Sequence, residues 1–212
     1  MIIQPFPSGP FSTNAYIVAC PDTKRIAIID PAPDSANAII DFVKNNGLLP
    51  EKILLTHSHW DHIADVATLK SKYKIPVYIH PDDAGNLEKP GSDGLPCWID
   101  IPGVHPDFLL KEGKAISVGN LIFEVISTPG HTFGGVCFYC KEHQLLLSGD
   151  TLFKGTIGNL SFPTSSPKHM WESLKKLSKL PADTRVFPGH GPSTTIGAEP
   201  WLAYAENVFG ND

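Results

Sequence analysis

Apolar residues along this chain recur in short runs separated by polar turn residues, and this pattern predicts alternating strands and helices. In the first half, runs rich in β-branched and aromatic residues predict four strands, over residues 14–20, 25–30, 52–56 and 76–80. The spacing of apolar residues becomes helical in two stretches, over residues 34–47 and 61–73. Ser35 and Gly47 are typical of the beginning and the end of the first of these helices.

The second half of the chain repeats this organisation. Apolar runs predict strands over residues 121–127, 135–140, 144–148 and 184–187. Helices are predicted over residues 167–180 and 199–209, with Pro167 at the first position of its helix. Their core faces are predicted to consist of Met170, Trp171, Leu174 and Leu177, and of Trp201, Tyr204 and Val208. The second of these stripes also suits a contact between two copies of the chain, so the oligomeric state stays open.

Residues 81–113 break the alternation of strands and helices. This stretch carries five prolines and several glycines, which predicts a long loop with no more than a helical turn. Loops of this length are uncommon unless they are functional or disordered. Two interpretations follow, a wall or lid of an active site and a solvated excursion.

The composition favours one globular domain, and we assign the whole chain, residues 1–212, to it. The net charge is −5 and basic residues form no run, which argues against a nucleic-acid surface. The N-terminus does not resemble a signal peptide, and no apolar run is long enough to span a membrane. We therefore expect a cytoplasmic protein that binds neither nucleic acid nor membrane.

The four cysteines are compatible with a reducing compartment. Cys137 and Cys140 form a C-x-x-C pair, but they lie in a predicted strand, where residues three apart point to opposite faces. A shared redox or zinc role is therefore disfavoured. Core packing is the better interpretation for both, and also for Cys20.

The strongest chemical signal is the segment 56–62, Thr-His-Ser-His-Trp-Asp-His, which directly follows an apolar run. It carries four side chains that can bind metal: His57, His59, Asp61 and His62. Three more candidates each follow a later strand-like run and a glycine: His131, Asp150 and His190. Strand ends that meet at one edge of a sheet structure would bring all seven groups into a single site.

The ligand types narrow the choice of metal. Neutral imidazoles and carboxylates without a thiolate suit Zn²⁺, Fe or Mn²⁺, and we expect two divalent ions, with zinc first. Three histidines per ion leave a coordination position open for water, which is typical of a catalytic site. Two ions a few ångströms apart would allow one hydroxide to bridge both.

These residues together resemble the metallo-β-lactamase superfamily over nearly the whole chain, from Thr13 to Gly191. The resemblance implies an α/β (α+β) fold, a four-layer αββα sandwich with the site at one edge of two sheets. It also implies that His57, His59 and His131 hold the first metal, that Asp61, His62 and His190 hold the second, and that Asp150 bridges them. Asp61 would be catalytic, because it would orient the bridging hydroxide.

Within the superfamily the chain resembles the glyoxalase II-like (hydroxyacylglutathione hydrolase-like) branch, without the C-terminal helical domain of full-length glyoxalase II. The segments that carry this likeness are 13–18, 29–31, 128–132 and 149–153. Asp150 argues against the zinc β-lactamases, for which a cysteine or no bridging carboxylate is expected. Asp30 is expected to support a ligand histidine from behind.

The resemblance implies a metal-dependent hydrolase that cleaves a small-molecule thioester, such as an S-acylglutathione, or an ester with the bridging hydroxide. One alternative is a mononuclear iron oxidoreductase of the persulfide dioxygenase type, which would use His57, His131 and Asp150. Lactone or phosphodiester hydrolysis on the same fold is the other.

Overall fold

The structure is a computed structural model that describes residues 1–210. Twelve strands in this part of the chain form two six-stranded sheets. The strands of the first sheet are β1 (Ile2–Ser8), β2 (Thr13–Ala19), β3 (Arg25–Ile29), β4 (Leu49–Leu54), β5 (Val77–Ile79) and β6 (Phe108–Leu109). The strands of the second sheet are β7 (Ala115–Val118), β8 (Leu121–Ser127), β9 (Val136–Cys140), β10 (Leu145–Gly149), β11 (Arg185–Pro188) and β12 (Thr194–Thr195).

Both sheets are mixed, and each follows the order of the sequence. In the first sheet β1, β2 and β3 pair antiparallel, and β3 to β6 pair parallel. In the second sheet β10 and β11 pair parallel, and the remaining pairs are antiparallel. Parallel neighbours require a crossover connection. The helices that supply these crossovers cover the outer faces of the sheets.

The described residues contain six α-helices. They are α1 (Ala36–Asn46), α2 (Trp60–Ile63), α3 (Val66–Tyr73), α4 (Pro81–Glu88), α5 (Pro167–Leu177) and α6 (Ala205–Phe209). Short 3₁₀ helices at Ile196–Ala198 and Pro200–Tyr204 precede the last of them. None of the helices in residues 1–210 is long and apolar enough to cross a membrane.

Three apolar layers hold the sandwich together. Ile17 and Ile28 of the first sheet pack against Ile39 and Val43 of α1 in the outer layer. The alternate residues of the same strands face the second sheet and form the central layer. The other face of the second sheet packs against α5 and the C-terminal helices. The predicted four-layer αββα sandwich is therefore confirmed.

The alternation of strand faces explains the cysteines. Cys137 packs in the layer between the second sheet and α5, whereas Cys140 packs in the central layer between the sheets. Both thiols are buried and free, as is Cys20. Burial raises the pKa of Cys137 to about 11, which makes it an inert packing residue.

The prediction of one continuous helix over 61–73 is wrong, because the helix is interrupted between α2 and α3. Asp65 precedes α3, and its carboxylate accepts a 2.7 Å hydrogen bond from the backbone N–H of Ala36. Ser35 occupies the N-cap position of α1 as predicted, but its own side chain makes no capping bond. Asp65, which lies in the crossover between β4 and β5, therefore satisfies a backbone N–H at the start of α1.

The prediction of a long loop over residues 81–113 is also wrong in part. Eight of these residues form α4, in which Pro81 takes the first position and His80 accepts a hydrogen bond from the N–H of Asp82. Strand β6 lies further along the same stretch. Pro81 is one of the prolines that suggested a loop, but it marks the N-terminus of α4.

Other departures lie at the ends of the chain and at the edges of the sheets. Strand β1 was not predicted because it contains Pro5 and Pro7, which an edge strand tolerates. The helix predicted over 199–209 is a 3₁₀ helix followed by α6. Tyr204 and Val208, predicted as core, are half exposed.

Candidate metal centre

The seven predicted side chains meet at one edge of the two sheets. Each follows the C-terminal end of a strand: β4 leads to the His57–His62 segment, β8 to His131, β10 to Asp150 and β11 to His190. Backbone hydrogen bonds join the loops across the two sheets, from Val136 N to Thr56 O at 2.9 Å and from Asn14 N to Gly189 O at 2.7 Å. The strand ends therefore form one continuous platform.

His57, His59 and His131 form the first cluster of possible ligand atoms, within 4.8 Å of one another. All three side chains are buried, and their ring centroids lie 4.5 to 5.1 Å apart. The second cluster combines Asp61 and His62 with His190 under the same distance limit.

Asp150 lies between the two clusters. Its Oδ2 is 3.4 Å from Nε2 of His131 and 3.4 Å from Nε2 of His190, and its Oδ1 is 3.4 Å from Nε2 of His62. One carboxylate thus faces histidines of both clusters, which is the geometry a bridging ligand requires.

The ring nitrogens behind the centre have oxygen partners. Nδ1 of His131 lies 2.8 Å from the carbonyl of Asn159, Nδ1 of His62 lies 3.1 Å from Asp30, and Nδ1 of His190 lies 3.2 Å from the carbonyl of Phe11. An N–H at Nδ1 that donates to such an oxygen leaves the lone pair on Nε2 facing the centre.

Several atoms that face the centre have no hydrogen-bond partner although they are buried. They include Nε2 of His57, His59 and His131, and Oδ1 of Asp150. Buried polar atoms without partners are costly, and a cation that accepts their lone pairs removes that cost. The donor set of imidazoles and carboxylates therefore fits divalent metal ions.

The two clusters differ in their electrostatics. Burial and the neighbouring histidines lower the pKa of His57 well below its ordinary value, and burial lowers that of His59 to about 3. Burial also lowers the pKa of His131. These rings are neutral at pH 7, which is the form that binds metal.

The second cluster has the opposite tendency. Burial alone would lower the pKa of His62 and His190, but the carboxylates of Asp61 and Asp150 outweigh it and raise these values to about 9 and about 10. Burial would raise the pKa of both carboxyls, and the facing histidines lower it, to about 2 for Asp150. Without metal, this cluster is a buried group of ion pairs.

Asp30 supports the centre from behind. One carboxylate oxygen accepts from the backbone N–H of Thr56 at 2.8 Å, and the other accepts from Thr56 Oγ1 at 2.5 Å and faces His62 Nδ1 at 3.1 Å. Asp30, His57 and His62 also form a compact group of possible ligand atoms. Because Asp30 binds the ring nitrogen of His62 that faces away from Asp150, we interpret it as a supporting residue.

Sequence reasoning missed three supporting residues at the start of β2. Thr13 donates to Asp61 at 2.6 Å, Asn14 donates to the carbonyls of Pro188 and Gly191, and the hydroxyl of Tyr16 donates to Pro188 O at 2.7 Å. The bonds of Asn14 and Tyr16 tie the first sheet to the loop that carries His190, and the bond of Thr13 holds Asp61. The segment was quoted for its resemblance, but nothing in the sequence indicated these partners.

Two glycines allow the ligand loops to approach one another. Gly149 has a φ of +49°, and a Cβ there would lie 2.5 Å from Oγ1 of Thr56. A Cβ on Gly189 would lie 2.1 Å from Oδ1 of Asp150 and 2.7 Å from Cε1 of His62. Both positions therefore require glycine for the centre to close.

Aromatic side chains surround the mouth of the centre. Phe162 packs against His59 and His131, and Phe153 packs against His190. Phe11 contacts Trp60 and the exposed Trp98, which comes from the stretch after α4. Part of the stretch 81–113 thus reaches the side of the site.

Residues 8–190 match the family model described as the metallo-beta-lactamase superfamily. The chain belongs to the metallo-β-lactamase superfamily. The resemblance inferred from the sequence is thereby confirmed, and the histidine and aspartate clusters are groups that could hold the metal ions of such a fold.

Among curated proteins, this superfamily member is 34% identical to a probable metallo-hydrolase, YqgX, of Bacillus subtilis (strain 168), over 91% of this chain and 92% of that protein. It is 33% identical to a hydroxyacylglutathione hydrolase of Enterobacter sp. (strain 638), over 85% of this chain and 62% of that protein.

Among solved structures, the BLEG-1 B3 metallo-beta-lactamase superposes with a TM-score of 0.87 at 38% identity, covering 95% of this chain and 99% of that one. A di-iron-bound form of TTHA1623 superposes with a TM-score of 0.82 at the same identity and coverage. One of these relatives is named as a probable metallo-hydrolase, one as a hydroxyacylglutathione hydrolase and one as a metallo-beta-lactamase, and the structure of the fourth holds two iron ions.

Proposed function

We propose that this protein is a metal-dependent hydrolase that cleaves a small-molecule thioester, such as an S-acylglutathione. The observation that carries the proposal is the convergence of seven histidine and aspartate side chains whose inward-facing nitrogens include three buried atoms without a hydrogen-bond partner. Similarity to a hydroxyacylglutathione hydrolase supports the thioester as substrate. The metallo-hydrolase superfamily supports the class of reaction.

In this proposal His57, His59 and His131 would hold one ion and Asp61, His62 and His190 would hold the other. Asp150, which lies between the two clusters, would be shared by them. With divalent ions bound, this site would have Lewis acids that could polarise a substrate carbonyl and lower the pKa of water. We expect zinc first, with iron or manganese as the other choices. The di-iron form of TTHA1623 supports iron as a real competitor.

The remaining chemistry falls to side chains of this protein. Thr13 occupies Oδ2 of Asp61, and so holds the carboxylate in one orientation towards the centre. Asp61 can then accept a hydrogen bond from the attacking water. This bond directs the lone pair of the water oxygen at the carbonyl carbon. A thiolate is a good leaving group, so this cleavage requires no strong acid.

The surroundings of the centre support an uncharged acyl group. A cavity of about 210 Å³ opens beside His59, and Phe133 is among the residues that line it. Its lining, within the described residues, includes no lysine or arginine. The carboxylates of Asp82, Asp83 and Asp93 also line it, so a neutral polar acyl group suits this cavity better than an anionic one.

A cytoplasmic location is part of the same proposal. The four cysteines of the chain are all free in the structure, as in proteins of a reducing compartment.

Hydrolysis of a β-lactam is a second candidate, because the BLEG-1 metallo-beta-lactamase is 38% identical over nearly the full length of both chains. The same centre would attack an amide carbonyl instead of a thioester. A nitrogen leaving group requires a proton donor, which is an additional demand on the site.

The deciding experiment combines metal analysis with three substrates on protein purified without a chelating tag. We expect two divalent ions per chain and turnover of S-lactoylglutathione, with nitrocefin cleaved slowly or not at all. Asp61→Ala and Asp150→Ala should reduce thioesterase turnover by at least about 100-fold. An unchanged rate in metal-loaded variants would refute the proposal. One iron per chain with oxygen uptake on glutathione persulfide would support a dioxygenase instead.

A further inference from the structure

We propose that Asp83 and Asn86 of α4 form a clamp that positions the ligands of the first ion, and only that ion. This inference rests on the proposed metal centre and assigns a role to the helix that the sequence did not predict. Both residues are buried, although each carries a polar side chain. Neither is a candidate ligand, because both point at the backbone of ligand loops.

The clamp holds Ser58, the residue between His57 and His59. The backbone N–H of Ser58 donates to Oδ2 of Asp83 at 2.8 Å, and its carbonyl accepts from Nδ2 of Asn86 at 2.7 Å. Both backbone groups of this residue are therefore fixed by side chains three positions apart on one face of α4. Fixing the Ser58 backbone fixes the directions of the two flanking imidazoles.

Asp83 reaches the third histidine of the cluster as well. Its Oδ1 accepts a 2.8 Å hydrogen bond from the backbone N–H of Gly134, three residues after His131. A Cβ on Gly134 would lie 2.4 Å from the same oxygen, so only glycine permits this approach. One carboxylate thus joins the loop of His57 and His59 to the loop of His131.

Both carboxylate oxygens of Asp83 must accept hydrogen bonds. An asparagine at position 83 would turn an amide N–H₂ group towards one of the two backbone N–H donors, since only one of its atoms accepts. One hydrogen bond would become a contact between two donors, and that loop would move. The carboxylate is therefore required for its two acceptors as well as for its charge.

The charge of Asp83 also suits the centre. Four aspartates are buried within residues 1–210, and all four lie at this site: Asp30, Asp61, Asp83 and Asp150. Together these carboxylates carry four negative charges, which equals the positive charge of two divalent cations. Burying a carboxylate is costly, and the backbone N–H groups of Ser58 and Gly134, with the hydroxyls of Ser58 and Thr132 nearby, offset part of that cost for Asp83.

The second cluster does not share this support. Its members are held by other partners, with His62 bonded to Asp30, Asp61 to Thr13 and His190 to the carbonyl of Phe11. Loss of the Asp83 clamp should therefore weaken binding at the first cluster and leave the second unchanged.

The test measures Zn²⁺ affinity by chelator competition in two single-cluster backgrounds. His190→Ala disables the second cluster, and His131→Ala disables the first. Adding Asp83→Asn to His190→Ala should lower the Zn²⁺ affinity of the first cluster by about 10- to 100-fold, which is typical of the loss of bonds that support a ligand. Adding it to His131→Ala should change the affinity by less than about twofold. This readout is independent of whether the enzyme cleaves a thioester.

The matched control is Asp82→Asn, which removes the neighbouring carboxylate of α4. The side chain of Asp82 is 60% exposed and bonds neither ligand loop, so both affinities should stay unchanged. Equal weakening in both backgrounds, or no weakening with His190→Ala, would overturn the proposal. If Asp83→Asn does not fold, Asn86→Ala decides by the same comparison, because it removes half of the clamp and keeps the charge.

Discussion

The hydroxyl of Thr13 donates a 2.6 Å hydrogen bond to Oδ2 of Asp61, and both residues are buried. The same oxygen faces Nε2 of His190 at 3.4 Å. Thr13, the first residue of β2, therefore fixes the orientation of a carboxylate 48 positions later in the chain. Through Asp61 it also helps to hold the second cluster.

Replacing Thr13 by valine should disturb the second cluster without altering the strand, because valine keeps the β-branched shape. We expect Thr13→Val to lower metal affinity at the second cluster by about 10-fold or more. Thr13→Ser retains the hydroxyl and should remain close to the parent protein. Zinc titration of both variants measures this, and equal affinity of the valine and serine variants would contradict the role assigned to the hydrogen bond.

Metal binding at the two clusters should depend differently on pH. In the metal-free protein the pKa of His62 is about 9 and that of His190 about 10, so both are protonated at pH 7 and must lose a proton to bind metal. The raised values mean that affinity at the second cluster falls as pH falls. The depressed pKa values of His57 and His59 predict a nearly constant affinity at the first cluster between pH 6 and 8.

Calorimetry in two buffers of different ionisation enthalpy measures the protons released. We expect about two per ion at the second cluster at pH 7 and none from the histidines of the first. Release of no protons by either ion would show that the ion pairs of the second cluster do not exist in solution.

Gly189→Ala should disable the centre although it adds a single methyl group. The new Cβ would lie 2.1 Å from Oδ1 of Asp150, so the carboxylate or the loop must shift. We expect loss of at least one bound ion and a fall in the free energy of unfolding of about 1 to 3 kcal/mol. Gly85→Ala in α4 is the control, since nothing lies within 4 Å of its Cβ, and it should be neutral or stabilising. Metal content and urea unfolding of both variants provide the comparison.

The thiols should differ sharply in reactivity. Cys97 is the most exposed of the four, whereas Cys20, Cys137 and Cys140 are buried. We expect the native protein to react rapidly with one equivalent of an aromatic disulfide reagent, and with four equivalents after unfolding. Cys97→Ser should abolish the rapid phase. Two or more rapid thiols in the native state would show that at least one of the buried apolar layers opens readily.

Much of the architecture could be predicted because its causes are local. The runs that became β2 and β3 are mostly apolar and are buried on both faces, as expected for strands covered on both sides. The helical spacing of Ile39 and Val43 predicted α1, which Gly47 ends in the left-handed conformation. The edge strand β1 was missed because its prolines disguise it, and α4 was missed because its eight residues lie in a stretch of prolines and glycines.

The candidate site divides in the same way. The seven proposed ligands were chosen from the sequence because imidazole and carboxylate groups followed strand ends, and the structure brings all seven together. Asp30 was also expected to support a ligand histidine, and it does so at His62, but the other partners of the ligands could not be predicted. The bonds of Asp83 to Ser58 and Gly134 join residues 25 and 51 positions apart, and they exist only because α4 packs over both loops.

The sequence by itself determined the layered fold and the chemistry of the centre, because residue type and spacing fix which groups can bind metal and which faces must be buried. Only the tertiary structure decided how those groups are held. Thr13, Asp83 and Asn86 act through hydrogen bonds that join distant segments. Such bonds depend on how two sheets and a short helix pack, and no local pattern of residues encodes that packing.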